Sequence, residues 1–309
     1  MLAGTEKAFP GAEKVNAVEA LFTRVIDYAG LFPPAALTME RAVREYKRAI
    51  ESDTSWMLGN FIVPAPRLPE FAHTFAAVCC DEQSQPWTLS VICDNPDADV
   101  HTIDKFQQGA VFFAAFEGRA PDLRTATRLL DLLPDDKPRY IEFPPDKAGE
   151  FLPMLDAQGA RAKIRTGGLS PESIPPVPTI ARFLLACAEQ GVPFKATAGL
   201  HHTTRGPYPL FEGSKATATM HGFLNVLLAG VQAWAGSDEK ALATTLSVES
   251  QQGFRLEPDA IYWANHSVSV EQIKSARAQF AIGFGSCSFR DPVVELMKMH
   301  WIPVTENVL

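Results

Sequence analysis

The sequence predicts an α/β fold: one (β/α)8 TIM barrel over residues 1–309, with an extended connection between its seventh and eighth strands. Eight short apolar runs alternate with helix-like stretches, the rhythm of a closed parallel barrel. Each run ends in a small cluster of polar residues, Gly or Pro. The turn after the first run reads DYAGLFPPA, without the Gly-rich fingerprint of an open dinucleotide-binding sheet. A length of 309 residues suits one large domain.

Arg24–Ala29 (RVIDYA) opens the series, although Val18–Tyr28 also fits a continuing helix. Leu58–Val63, Thr88–Cys93, Val111–Phe116 and Arg139–Phe143 follow as β-branched or aromatic runs. Ala162–Thr166, Pro193–Ala198 and Phe280–Gly285 complete the set. Between them, Met39–Ile50 places Ala42, Val43, Tyr46 and Ile50 on one helical face. Leu123–Leu133, Ile180–Gln190 and Pro292–Met299 are further helices. The seventh connection, with its insertion at about residues 203–275, is far longer than the others. Thr203–Lys215, rich in Gly and Pro, is expected to be an irregular loop covering the mouth. An apolar helix around His221–Trp234 and at least one more helix should follow. From such a lid, Arg205 and Tyr208 could reach a substrate. The alternative use of its Pro-Tyr-Pro-Leu-Phe stretch is a homo-oligomer contact.

Composition excludes several classes. A net charge of −8 and a pI near 5.4 leave no footprint for nucleic acid and no basic patch for a membrane. No run approaches the roughly 18 apolar residues of a spanning helix. The stretch MLAGTEKAFPGAEKV has no apolar signal region. Cys79, Cys80, Cys93, Cys187 and Cys287 form no CxxC pair. The expectation is a cytoplasmic protein with reduced thiols that takes a small-molecule substrate.

Barrel active sites form at the C-terminal strand ends, where residues i and i+2 share a face. AKIRTGG therefore pairs Lys163 with Arg165, and PFKATAGLHH pairs Lys195 with Thr197. Adjacent strands lie about 4.8 Å apart, so these cations crowd one sector. A lysine there has reason for a depressed pKa, and a neutral amine can form a Schiff base. The alternative is that the lysines pair with carboxylates. Asp94, Glu117 and Glu142 close successive runs, and Asp27 lies in the first. Glu142 shares the face of Tyr140, expected inward, as a base, metal ligand or counter-ion for Lys163. Arg165 suits the anionic end of a substrate.

His201, His202 and His221 are the third signal. They could move protons or bind substrate, or join Glu142 or Asp94 around a divalent metal such as zinc. Gly285, Ser286 and Ser288 in FGSCSF could receive an anion at the start of the last helix. Cys287 has no histidine beside it in sequence and reads as a buried thiol.

The motifs KIRTGG, KATAGLHH and IGFGSCS resemble those of class I aldolases of the deoxyribose-phosphate aldolase type. The resemblance implies Lys163 as the Schiff-base former, with Lys195 lowering its pKa. Asp94 corresponds, by position only, to that family's proton-relay aspartate. Arg165 stands where the family has a small residue, and the histidine pair is foreign to it. The expected function is a lyase, aldolase-like and cofactor-free, acting on a small anionic carbonyl compound. The alternative is a metal-dependent lyase or hydrolase using His201, His202, His221 and Glu142. A metabolite-binding barrel without catalysis is the third class.

Overall fold

The computed structural model describes residues 16–79, 86–107, 109–211 and 213–305. MLAGTEKAFPGAEKV and Cys80 lie outside them. Seven barrel strands come first: β1 (Ile26–Tyr28), β2 (Leu58–Pro64), β3 (Trp87–Ile92), β4 (Val111–Arg119), β5 (Arg139–Glu142), β6 (Arg161–Arg165) and β7 (Phe194–Thr197). The next five strands, β8 (Gly206–Pro209), β9 (Thr217–Met220), β10 (Phe254–Leu256), β11 (Ala260–Trp263) and β12 (His266–Ser269), belong to the long connection. β13 (Ala281–Ser286) closes the barrel between β7 and β1. The order β1-β13-β7-β6-β5-β4-β3-β2 is parallel at every ladder. This is the (β/α)8 architecture the alternation predicts.

The uncertain first strand has a local explanation. The helix Ala17–Phe22 stops one turn before it, and Arg24 adopts a left-handed φ of 51°. That conformation ends a helix, and the Arg24 amide bonds the Trp56 carbonyl at 2.8 Å instead. The chain then enters β1 in register with β13 and β2. Helix Met39–Glu51 starts at Thr38, whose side chain accepts from the Arg41 amide. It buries Met39, Ala42, Val43, Tyr46 and Ala49, while Ile50 packs at the edge of that stripe.

The long connection is more ordered than expected. Thr203–Lys215 is not an irregular loop: Gly206–Pro209 pairs antiparallel with Thr217–Met220. Pro207 and Pro209 alternate along β8, so their missing N–H groups fall on one side and Gly206 and Tyr208 keep theirs on the other. Beyond the hairpin comes helix Phe223–Trp234, buried from Phe223 through Ala233. It presses on the barrel at Gly230, where an added Cβ would lie 2.9 Å from Phe194 of β7. Phe223 stacks on Phe284 of β13, with centroids 5.4 Å apart. Helix Glu239–Leu246 and the three-stranded sheet β10-β11-β12 follow, the latter unannounced by the sequence reading. Trp263 of that sheet donates to Thr245 of the preceding helix, and Leu242, Leu246, Ile261 and Trp263 lie in one hydrophobic core with the barrel strands. Among the described residues, no helix is long and apolar enough to cross a membrane.

Gly283 marks a tight seam of the closure. A Cβ there would lie 2.6 Å from the Val25 carbonyl oxygen, which already accepts from the Phe284 amide at 2.8 Å. Gly283→Ala should therefore cost about 1–3 kcal/mol through overpacking. Urea unfolding followed by tryptophan fluorescence measures this, and unchanged stability would show that the seam yields freely.

Candidate active site

The C-terminal strand ends open into a cavity of about 370 Å³. Its charged walls are Asp94 after β3, Arg119 of β4, Glu142 of β5, and Lys163 and Arg165 of β6. Thr197, Gly285, His201 and Cys287 line the sector beyond. Leu210 and Met220, from the hairpin, roof it. The strand-end reading thus gathers seven of its predicted residues, Asp94, Glu142, Lys163, Arg165, Thr197, His201 and Gly285, at one mouth.

Lys163 and Lys195 are register partners on neighbouring strands. Both reach one carboxylate, that of Glu117 on β4, which is 0% exposed. Lys195 donates to Glu117 Oε1 at 2.6 Å and to Asp27 Oδ2 at 2.6 Å. Asp27 also accepts the Asn60 amide at 2.6 Å, and Ser90 donates to Glu117 Oε1. Lys163 Nζ lies 2.7 Å from Glu117 Oε2, a close ion pair. A second, looser pair joins it to Glu142 Oε2 at 3.5 Å. Above this layer, Glu142 Oε1 accepts from Arg165 Nε at 3.0 Å and Arg119 Nε at 3.2 Å. Side-chain exposure climbs from 2% at Lys195 and 9% at Lys163 to 42% at Arg165 and 62% at Arg119.

The electrostatics correct one expectation. Burial alone would neutralise Lys195, but Asp27 and Glu117 outweigh it and raise its pKa above the ordinary lysine value. Lys195 is therefore a fixed ammonium, not an amine depressed by its neighbours. Its head also sits 5.1 Å from the centre of the Tyr140 ring, a cation–π contact. Burial would likewise raise Glu117, yet the ammonium groups of Lys163 and Lys195 hold it well below the carboxylate range. At Glu142, burial is again overridden, by Lys163 and Arg165.

The three histidines do not converge. His201 Nδ1 faces Asp291 Oδ2 at 3.5 Å, and its Nε2 lies 3.7 Å from Cys287 Sγ. His202 stacks on Tyr208 with centroids 3.6 Å apart and faces Glu295. His221 donates from Nε2 to the Pro175 carbonyl at 2.7 Å, and burial pushes its pKa down. Glu142 belongs to the lysine and arginine layer instead. Among the described residues, no group of three or more His, Cys, Asp or Glu side chains is placed to hold a metal ion.

Other predicted residues lie off the mouth. Arg205 pairs with Glu249 and borders a separate cavity beside His221, because the hairpin turns its side chain away. Tyr208 is held against His202, its hydroxyl donating to Thr204. The Ser286 hydroxyl donates to the Ser288 carbonyl, and the Ser288 hydroxyl accepts the Asp291 amide. Both hydroxyls therefore brace the turn and the helix start. Glu117 is the residue the reading underused: the run taken as Val111–Phe116 continues through Arg119, carrying Glu117 inward. The contact of Cys287 with His201 joins residues far apart in sequence. Compared with known proteins, the chain matches no family model and no curated sequence.

The buried charges set a pH window. Glu117 has a folded pKa below its unfolded value, so its contribution is complete above about pH 4.3 and is lost as pH falls toward the folded value. Lys195 is the reverse case, with its contribution complete below about pH 10.4 and lost as pH rises toward its folded value. Glu117→Gln should lower unfolding free energy at pH 7 by about 3–5 kcal/mol. The difference from wild type should narrow below about pH 4. Denaturant titrations across pH measure both, and equal stability at pH 7 would contradict the shared ion pair.

Proposed function

We propose that the protein is an aldolase-like lyase that binds a small anionic carbonyl compound and forms an imine with Lys163. The barrel is a fold that commonly serves enzymes, with catalysis at the strand ends where this cavity lies. The observation that carries the reading is the unequal treatment of the two lysines. Lys195 lies beneath the mouth with two carboxylates at 2.6 Å, whereas Lys163 lines the cavity with one carboxylate at 2.7 Å and a second at 3.5 Å.

In this reading Arg165 and Arg119 take the substrate's carboxylate or phosphate, for which guanidinium groups are well shaped. Such an anion competes with both for Glu142 and loosens that carboxylate from them. Glu142, 3.5 Å from Lys163, then accepts the proton that Lys163 must shed before its nitrogen attacks the carbonyl carbon. Water leaves as the iminium forms, and the iminium takes up the electron pair when a carbon–carbon bond breaks. Asp94, on the same cavity wall, is positioned to return a proton to carbon. Lys195 stays charged and keeps Glu117 ionised, so the carboxylate beneath Lys163 holds its negative charge through the cycle. A cytoplasmic setting suits the thiols of Cys93, Cys187 and Cys287.

Borohydride reduction with a panel of small keto acids and aldehydes tests this reading. The expected result is a reduced adduct mapped to Lys163, absent in Lys163→Met, with turnover of the same compound reduced at least about a thousandfold. Arg165→Lys should raise KM about tenfold or more while the adduct still forms. An adduct on Lys195, or none on Lys163 across the panel, would overturn the assignment.

A further inference from the structure

Cys287 follows β13 directly and lines two spaces, the mouth cavity and an adjoining open groove of about 850 Å³. His201, which follows β7, lines the same two spaces. β7 and β13 are paired neighbours, which is why residues so far apart in sequence meet. The Sγ–Nε2 separation is 3.7 Å, and the far ring nitrogen faces Asp291 Oδ2 at 3.5 Å. Thiol, imidazole and carboxylate thus stand in line, with the thiol on the cavity side. Asp291 is fixed by the helix Arg290–Lys298 on which it sits, and its amide bonds the Ser288 hydroxyl at 3.1 Å. The Ser286 hydroxyl braces the turn that carries Cys287.

We propose that Cys287, His201 and Asp291 form a nucleophilic centre that takes an acyl group from a small ester or thioester carrying an anionic acyl chain. The acyl part would occupy the mouth cavity, where Lys163, Arg165 and Arg119 supply cations. The leaving group would lie in the groove that Cys287 and His201 share with it. This assignment does not depend on imine formation at Lys163.

The step balances with the residues present. With the proton shared by the pair already on His201 Nε2, the sulfur bonds to the acyl carbon. The bond from that carbon to the leaving oxygen or sulfur breaks, and His201 returns the proton to the departing alcohol or thiol. Water then attacks the thioester and gives a proton to His201, and the carbon–sulfur bond breaks as the carboxylic acid leaves, which restores the sulfur beside the charged ring. Asp291 orients the ring and stabilises its charged form. Burial disfavours that form, but Asp291 and Cys287 outweigh it and hold the His201 pKa up to about 9, so at pH 7 the ring already carries the proton it gives to the leaving group. Cys93 and Cys187 are the contrast: burial raises both thiols, and neither lines the cavity.

The test uses the full chain and a small 4-nitrophenyl ester bearing a terminal carboxylate, with its uncharged methyl-ester counterpart as control. The expected result is release of 4-nitrophenol with the acyl mass on Cys287. The uncharged ester should react about tenfold or more slowly, and His201→Gln should lose a similar factor. Cys287→Ala should lose the acyl mass yet keep the borohydride-reduced adduct on Lys163, which separates this centre from the imine reading. A second measurement needs only wild-type protein: iodoacetate at pH 7 should alkylate Cys287 about tenfold or more faster than it alkylates glutathione. No acyl group on Cys287, equal acylation of His201→Gln, or alkylation no faster than glutathione would each overturn the proposal.

Discussion

One fully buried carboxylate, that of Glu117, shared between lysines on two adjacent strands, is the interaction on which the interior of this barrel depends. An isolated lysine at the position of Lys195, 2% exposed, would give up its proton rather than remain charged without water. Two carboxylates and an aromatic face prevent that. Because Glu117 must reach both Lys163 and Lys195, the interaction ties β4 to β6 and β7 across the barrel interior. Asp27 extends the tie to β1. A buried ion network of this kind adds less net stability than its Coulomb energy suggests. What it does here is order the charges in depth.

That depth ordering links packing to chemistry. The lowest cation touches two carboxylates at 2.6 Å, the next has one at 2.7 Å and a second at 3.5 Å, and the outer two face the mouth. An anion entering from above would meet the arginines first and Lys163 second. The elaborated connection serves the same mouth from its rim. Its hairpin lays Leu210 and Met220 over the cavity, and its buried helix packs against the two strands that carry Lys195 and the Cys287 turn. The insertion is therefore part of the barrel's core as well as its roof.

Much of this was legible in the chain. Buried parallel strands read as continuous apolar runs, so all eight barrel strands could be located. The i, i+2 rule on AKIRTGG and PFKATAGLHH brought Lys163 and Lys195 together, and the register pairs them. What pairs with a buried lysine was less legible, because ion pairs cross the barrel between strands distant in sequence. Glu117 stood one residue past the apparent end of its run, where β4 continues over Gly118 and Arg119. Cys287 looked inert for the same reason: its histidine comes from another strand end. The hairpin and the β10–β12 sheet were masked by short strands rich in proline and polar residues, whose pairing depends on partners a local pattern cannot supply.

The two lysines differ in setting, Lys195 a buried ammonium beneath the mouth and Lys163 a lining residue of the cavity, where we propose that it reacts. Lysine side-chain nitrogen NMR across pH tests this difference most directly. The Lys195 signal, assigned with Lys195→Met, should remain that of an ammonium with slowly exchanging protons at every pH where the protein stays folded. A Lys195 signal that titrates to the neutral amine between about pH 6 and pH 9, below the ordinary lysine value, would contradict the account.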